Sequence, residues 1–407
     1  MRSKTFPKSL AVVAAVAVAA VTACGSSTGS SGSTPAPDST LSKSPIVVGN
    51  VGVYSGTAFG AQYLQSLHGL QAWVKWTNDH GGINGHPVKL VSKDDANDPA
   101  KSLQAVKELV EQDHVVAILA PASPGSDNAW AKYVQQKKVP VLGGISLDEN
   151  WTNNPYMLTV NDTSTQFEIS NLEAAKTMGT KVGGFFCAEL AACKMGSTKY
   201  GDMAKSLGIA WGGAALVAAT ATDYTAQCAL MKQNGVDVLL PEIDGPTTVR
   251  IVKACATQGF TPAIVMPSAD INADVLADPL FDGALGLQVS PLWFGDSALI
   301  KDWKQAYHAM YPNEVLNGYS TMGWQAGVVF ATALKDAPDT VTSDTVLQAL
   351  YAQPAGSTFG GWTSPLTFAP GKPTQTQPCM WYMQIKNGKL VDTKGNKYVC
   401  GQNPAGA

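Results

Sequence analysis

The sequence lacks the short motifs by which many enzymes are recognised. It contains no GxSxG elbow between a strand and a helix, no Walker A loop, no GxGxxG run after a strand and no HExxH pair. Paired carboxylates do occur, at Asp94 and Asp95 and at Glu242 and Asp244, and a hydrolase could use such pairs. Solvated loop charges are the more usual explanation. We therefore expect no catalysis, and an extracellular hydrolase stays open as an alternative.

A metal-binding pattern is also missing. No CxxC pair occurs, and the five histidines are scattered without the spacing of metal ligands. We therefore expect neither a metal site nor another cofactor.

Charged residues are few, at 14% of the chain, while apolar residues make up 45%. Without the N-terminal Arg2, Lys4 and Lys8, the chain has 25 basic and 31 acidic side chains, which gives a net charge of about −6. Nucleic acids and anionic lipid surfaces attract basic proteins, so we expect neither as a partner. The length and the apolar fraction are typical of a globular body with two domains.

Long apolar runs are absent beyond the N-terminus, and none approaches the about 18 residues of a membrane-spanning helix. The run from Leu10 to Val21 follows three basic residues and is short and rich in alanine, so residues 1–23 predict a signal peptide. The Val-Thr-Ala-Cys sequence that ends at Cys24 resembles the lipobox of bacterial lipoproteins. This resemblance implies that the Cys24 thiol carries the lipid, the alternative being an ordinary signal peptide with an incidental cysteine.

Residues 24–45 are predicted to form a lipid-anchored flexible tether. From Gly25 to Pro45 the chain is dominated by Ser, Gly, Thr and Pro, and such a tract cannot bury enough apolar surface to become ordered. We expect an exported protein, lipid-anchored on the outer face of the cell membrane.

Six further cysteines form an even set, as expected in an oxidising compartment. Their number allows many pairings, and a set of buried free thiols is the alternative. We predict three local disulfides, because the first pair would close a short loop after a strand, the second would join neighbouring helices and the third would fix the C-terminal tail. The predicted pairs are Cys187 with Cys193, Cys228 with Cys255, and Cys379 with Cys400.

Apolar strand-like runs alternate with helical patterns in two successive series. The first series has strands near 46–54, 86–95, 115–120 and 139–144, and the second has strands near 181–186, 214–219, 236–241 and 262–267. Helical patterns between them include 60–80, a helix begun by Asp98 and Pro99, 199–207, 225–233 and 247–258. Such alternation predicts an α/β fold of two doubly wound parallel-sheet lobes. Helices near 297–310, 318–334 and 343–351 follow, and Asn387-Gly388 predicts a hairpin turn near the end.

The stretch GGINGHPVKLVSKDDANDPAKSLQAVKELVEQDHVVAILAPASPGS, from Gly81 to Ser126, resembles the first lobe of the leucine/isoleucine/valine-binding family with the type I periplasmic binding fold. A Ser-Gly loop after the first strand, a Gly-Gly-Ile-x-Gly turn, an Asp-Asp pair and a Pro-initiated helix occur in the family's order. Weaker similarity continues through Tyr200-Gly201 and Thr222-Asp223-Tyr224 in the second lobe.

The resemblance implies two lobes joined by three crossover strands, which we place near residues 160, 288 and 365. Lobe one would then comprise residues 46–160 and 290–360, and lobe two would comprise residues 161–289 and 361–407. The ligand would bind in the cleft between the lobes.

In the family, hydroxyls and backbone amides of loops after the strands of lobe one hold a ligand carboxylate, and Ser123 and Ser146 match those positions. Tyr54 and Ser55 lie on a third loop at the same edge. The alternative for each serine is plain N-capping of a helix. Tyr54, Trp151 and Tyr224 could supply an aromatic wall, and ordinary packing is their alternative.

Lobe two departs from the family pattern. Amino-acid binders present a carboxylate directly after the strand that here ends at Met266-Pro267, and Asp270 fits only if the register slips by two residues. Glu242-Ile243-Asp244 stands where a Tyr-rich loop is common. The resemblance thus implies a monomeric solute-binding lipoprotein that delivers a small, carboxylate-bearing and amino-acid-like ligand to the permease of an ABC importer. A ligand sensor that signals to a membrane receptor is the alternative within the same fold.

Overall fold

The computed structural model describes residues 41–57, 60–188 and 191–401. The predicted signal peptide, Cys24 and most of the predicted tether lie outside these residues. Within the described part of the chain, no helix combines the length and the apolarity needed to cross a membrane.

Lobe one is built on a sheet of five parallel strands in the order β2-β1-β3-β4-β5. The strands are β1 (Ile46–Gly52), β2 (Val88–Asp94), β3 (Ala117–Leu119), β4 (Val141–Leu142) and β5 (Met157–Leu158). The helices between them are α1 (Gly60–Asp79), α2 (Pro99–Glu111), α3 (Ala131–Lys137) and α4 (Asn150–Asn153). Helix α2 begins where the sequence predicts, because the Asp98 carboxylate accepts hydrogen bonds from the amides of Ala100 and Lys101 and proline occupies the first turn.

Lobe two contains the second sheet, in the order β12-β11-β10-β9-β8-β6-β7 with β13 paired to β11. Its strands are β6 (Lys181–Cys187), β7 (Ala210–Val217), β8 (Val238–Glu242), β9 (Ala263–Pro267), β10 (Leu285–Gln288), β11 (Cys379–Lys386), β12 (Lys389–Asp392) and β13 (Val399–Cys400). Its helices are α5 (Ser164–Lys176), α6 (Ala191–Ser206), α7 (Thr225–Gln233), α8 (Gly245–Thr257) and α9 (Ala273–Ala277). Strands β6 to β10 are parallel, whereas β11 and β12 form the predicted antiparallel hairpin, with Asn387 and Gly388 both at positive φ.

The segment between β10 and β11 of the second sheet packs against lobe one. It forms α10 (Lys301–Met310), α11 (Met322–Ala333) and α12 (Ser343–Tyr351). Helix α11 packs closely on α1, and two glycines permit this contact. A Cβ at Gly323 would come within 1.9 Å of the Ser66 carbonyl oxygen, and one at Gly327 would come within 2.1 Å of the Trp73 ring. The two α/β lobes confirm the predicted fold class, while the predicted residue boundaries of the lobes stay a prediction.

Three disulfides join the predicted partners. Cys187 and Cys193 close a short loop after β6, and Cys379 and Cys400 link β11 to β13. Cys228 on α7 and Cys255 on α8 are both buried, and their bond joins two helices that pack on one face of the second sheet.

Candidate functional site

The strand orders of the two sheets locate the candidate site. In lobe one the chain reverses its direction of winding between β1 and β3, and in lobe two it does so between β6 and β8. Ligands of open parallel sheets bind beyond the carboxyl ends of the strands at such switch points, because the flanking loops diverge there. The loops that follow β1 and β3 in lobe one, and β6 and β8 in lobe two, therefore flank the switch points, and the loops after the neighbouring strands β4 and β9 lie at the same edges.

The loop after β1 is held to the loop after β2. The Tyr54 amide donates to a carboxylate oxygen of Asp94 at 3.0 Å, and the exposed Ser55 also hydrogen-bonds to Asp94 through its side chain. The Tyr54 ring folds back over Gly52, and its hydroxyl donates to Asn50 at 2.6 Å. Burial raises the pKa of Tyr54, so the phenol stays protonated and acts as a donor.

Ser123 lies on the loop after β3 and is only 3% exposed. Its hydroxyl donates to Asp95 Oδ2 at 2.6 Å, which is neither helix capping nor an unengaged hydroxyl. The Ser123 carbonyl accepts from the amides of Ser126 and Asp127, whereas the Ser123 amide donates to no acceptor among the described residues. The Ser123 amide is therefore available as a backbone donor on this loop.

Ser146 occupies the equivalent place after β4 and is 5% exposed. Its hydroxyl lies 2.8 Å from the Thr159 hydroxyl and donates to Asn161 Oδ1 at 3.2 Å. Its amide, like that of Ser123, donates to no acceptor within the described part of the chain. Both loops that the sequence predicts to hold a ligand carboxylate thus keep an N–H group without an acceptor among the described residues.

A small apolar cluster lies beside these two loops. Ala122 and Ile145, each next to one of the serines, pack with Met322, and Tyr54, Tyr63, Val289 and Tyr319 surround them. Tyr63 in the first turn of α1 and Tyr319 before α11 meet edge to face, with ring centroids 5.1 Å apart. Sequence reasoning missed both tyrosines. The position of Tyr63 just after the Ser-Gly loop could have indicated it, but Tyr319 is brought in from a distant segment and has no local signal.

Asp270 reaches this cluster from lobe two. It ends a 3-10 turn, Ser268–Asp270, that follows β9 directly. Burial raises the pKa values of Tyr63 and Tyr319, and the nearby Asp270 charge adds to both shifts. No described residue donates a hydrogen bond to the Asp270 carboxylate, and its pKa is raised by burial and by the charges of Glu242 and Asp244.

Glu242 is the last residue of β8, at the switch point of lobe two, and sequence reasoning noted it only as an added acid. Its Oε1 accepts hydrogen bonds of 3.0 Å from the Tyr200 hydroxyl on α6 and from the Asn171 amide on α5. Burial raises the pKa of Glu242 to about 7, with a further contribution from the charge of Glu168. Tyr200 and Asn171 also contact each other at 3.0 Å, so three side chains form one network.

Two predicted aromatic residues are packed in the cores. Trp151 is 1% exposed, belongs to the lobe-one cluster around Trp130, and donates its indole N–H to Asp127 at 2.9 Å. Tyr224 is 2% exposed in the cluster around Cys228, and its hydroxyl donates to the carbonyls of Ala218 and Ala221. Ordinary packing, the alternative to an aromatic wall, describes both contacts, and neither residue is carried into the proposed site.

The described residues contain no group of three or more His, Cys, Asp or Glu side chains that could hold a metal ion.

Comparison with known proteins gives a consistent result. A family model for the periplasmic binding protein matches residues 45–389. An amino acid binding protein of Pseudomonas aeruginosa is 35% identical over 83 residues, which is 20% of this chain and 21% of that protein. The match thus spans about a fifth of that relative's length.

Two solved structures share the fold. A possible leucine/isoleucine/valine-binding protein from Rhodopirellula baltica aligns over 87% of this chain and 98% of its own, with a TM-score of 0.72 and 17% identity. The solute-binding protein of an ABC transporter from R. palustris, in complex with benzoate, aligns over 88% of this chain and 98% of its own, with a TM-score of 0.68 and 16% identity. At such identities the similarity shows the fold alone.

Proposed function

The chain belongs to the periplasmic binding protein family, and from that premise we propose that it captures a small amino-acid-like solute outside the cytoplasm and delivers it to an ABC importer. The ligand would bind between the two lobes and carry a carboxylate. The protein would act as a monomer anchored to the membrane through the lipid on Cys24, and it would catalyse no reaction.

The observation that carries this proposal is the pairing of unpartnered donors with an unpartnered acid across the cleft. The amides of Ser123 and Ser146 lie on the lobe-one side, on neighbouring loops, and unpartnered amides at the ends of strands favour an anion. The carboxylate of Asp270, which has no hydrogen-bond donor among the described residues, lies on the lobe-two side and favours a cation. An α-amino acid presents both groups on neighbouring atoms.

The apolar cluster supports a ligand of small size. Ala122, Ile145 and Met322 form a surface between the two polar sides, and the Tyr63 and Tyr319 rings border it. The ligands named for two similar structures, leucine, isoleucine or valine for one and benzoate for the other, all carry a carboxylate, which supports this part of the proposal.

A thermal-shift screen of small metabolites tests the proposal, because a ligand that binds only the folded protein raises its Tm by mass action. We expect free amino acids to raise the Tm. Their methyl esters, which lack the carboxylate, should not. Equal shifts by an amino acid and by its ester, or no shift with any amino acid, would contradict the proposed ligand class.

A further inference from the structure

Lobe two brings more negative charge to the cleft than one ammonium group can balance. Of the acids near the carboxyl edge of its sheet, Asp244 caps α8 by accepting from the Thr247 amide, and Glu168 lies near Lys199 in a groove of about 320 Å³ between α5 and α6. Glu242 accepts only from the neutral side chains of Tyr200 and Asn171, and no described residue donates to the Asp270 carboxylate. Neither forms an ion pair with any described residue, although their charges are close enough to affect each other.

The surroundings of Glu242 contain surplus acceptors. Its Oε1 takes the two available donors, from Tyr200 and Asn171, while no described residue donates to its Oε2. Asn171 is fully buried, and its Oδ1 has no hydrogen-bond partner in the described part of the chain. A buried amide oxygen is rarely left without a donor, so this orphan is an observation independent of the acids. Together these atoms match a group that only donates, such as an ammonium or a guanidinium.

We propose that the ligand carries a second cationic group, as a dibasic α-amino acid does, and that Glu242 with Asn171 binds this group. The inference rests on the proposed function, in which the amides of Ser123 and Ser146 hold the ligand carboxylate and Asp270 holds its α-ammonium. Three charges of the ligand would then meet three complementary positions in the cleft.

Charge balance favours this ligand over a neutral amino acid. A neutral amino acid has one ammonium group, so one of the two neighbouring carboxyl groups would have to stay protonated or remain an uncompensated charge in the closed cleft, where desolvation makes such a charge costly. A dibasic amino acid compensates both. Its methylene chain would run along the cleft between the two acids.

Isothermal titration calorimetry with lysine and norleucine tests the inference, because norleucine has the carbon chain of lysine without the side-chain ammonium. The measurement is made at pH 8, above the pKa of about 7 that burial gives Glu242. A charge-assisted hydrogen bond is worth about 10- to 100-fold in affinity, so lysine should bind at least about tenfold more tightly than norleucine. Norleucine or leucine binding as tightly as lysine would overturn the inference and leave the proposed function intact, whereas no binding by any amino acid would end both.

The variant Glu242→Gln tests whether Glu242 causes the preference for lysine over norleucine. Glutamine keeps an acceptor for the Tyr200 hydroxyl and removes the charge, so lysine affinity should fall about 10- to 100-fold while norleucine affinity stays the same or rises. Asp296→Asn is the matched control, since it removes one charge from a fully exposed side chain and should change neither affinity. A Glu242→Gln variant that melts like the wild type and keeps the full preference for lysine would refute the role of Glu242.

Discussion

The Ser123 hydroxyl carries one hydrogen, which the structure directs at Asp95 Oδ2. A hydroxyl used in this way can accept from a ligand but cannot also donate to a ligand carboxylate. The family resemblance implied that this hydroxyl donates to the ligand carboxylate, with capping of a helix N-terminus as the alternative. The contact with Asp95 is a third arrangement, which depends on the packing of two loops and leaves the amide as the ligand donor.

Ser123→Ala should therefore affect both stability and binding. Loss of the hydroxyl removes a donor from the buried Asp95 carboxylate, at a cost of about 1 to 3 kcal/mol in the free energy of unfolding. The uncompensated Asp95 charge should also weaken binding of a carboxylate ligand by about tenfold or more. Chemical denaturation and calorimetric titration measure the two effects, and unchanged affinity would show that the ligand anion does not lie beside the Asp95 carboxylate.

Asp95→Asn provides the complementary test. An asparagine carbonyl can still accept from the Asn97 amide, as Asp95 does at 2.9 Å, and its NH₂ group would donate to the Ser123 oxygen. The Ser123 hydrogen would then be free for the ligand, and a nearby negative charge would be gone. We expect a higher affinity for carboxylate ligands in titration, and a lower affinity would show that the ligand anion does not lie beside Ser123.

Glu168 gives a prediction of pH dependence. Burial raises its pKa from 4.5 to about 7, Lys199 opposes this shift, and its Oε2 has no hydrogen-bond partner in the described part of the chain. Because the folded-state pKa is the higher one, the stability that the protonated group contributes is complete below about pH 4.5 and is lost as the pH rises through 7. Glu168→Gln should raise the Tm at pH 8 and change it little at pH 4.

Thermal melts between pH 4 and pH 8 measure the Tm of both proteins. The variant Glu149→Gln, which changes an exposed side chain, is the control for the loss of one acid. A Glu168→Gln variant that melts lower than the wild type at pH 8 would mean that the fold stabilises the charged carboxylate, which is the opposite of what a raised pKa requires.

At the scale of elements, local signals predicted helix bounds well where helices end in polar turns. Helices α7 and α12 span the residues that the sequence predicts, and Asp98 with Pro99 fixed the start of α2. Helix α6 is the exception, because it begins at Ala191 rather than near Lys199. Its first half contains Cys193 and Gly196 and lacks a regular apolar stripe, so the disulfide to Cys187 and packing on β7 position a segment that periodicity does not reveal.

The disulfide between α7 and α8 should make a measurable contribution to stability. It closes a loop with a sequence separation of 27 residues. Loop-closure entropy predicts that Cys228→Ala combined with Cys255→Ala lowers the free energy of unfolding by about 2 to 4 kcal/mol. Guanidinium titration measures the change, and because the bond lies outside the proposed site, ligand affinity should not change. Peptide mapping without reduction must first recover the three observed pairs, and any exchange between them would contradict the assignment.

At the scale of the whole molecule, strand alternation and family resemblance predicted two lobes, but not the details of the site between them. The pairing of Tyr63 with Tyr319 and the network of Glu242, Tyr200 and Asn171 each join segments far apart in the chain. No short-range pattern encodes such contacts. The Glu242 network on the lobe-two side therefore had to come from the structure, whereas Ser123, Ser146 and Asp270 could be proposed from the position of their loops after strands.

Attachment to the membrane is the last prediction, and it concerns the part of the chain that precedes the folded body. Cys24 follows an apolar run preceded by basic residues and comes before a Ser/Gly-rich tract. A diacylated cysteine inserts two hydrocarbon chains, which is enough for stable anchoring, whereas the body is acidic overall and would not adhere to anionic lipid by charge. Cys24→Ala should therefore release the protein from the membrane fraction of expressing cells, with Ser26→Ala, two residues into the tether, as the matched control that stays bound. The released Cys24→Ala protein should bind its ligand with unchanged affinity, because the anchor and the cleft are separated by the tether. If Cys24→Ala sediments with membranes as firmly as Ser26→Ala, the anchor lies elsewhere in the chain.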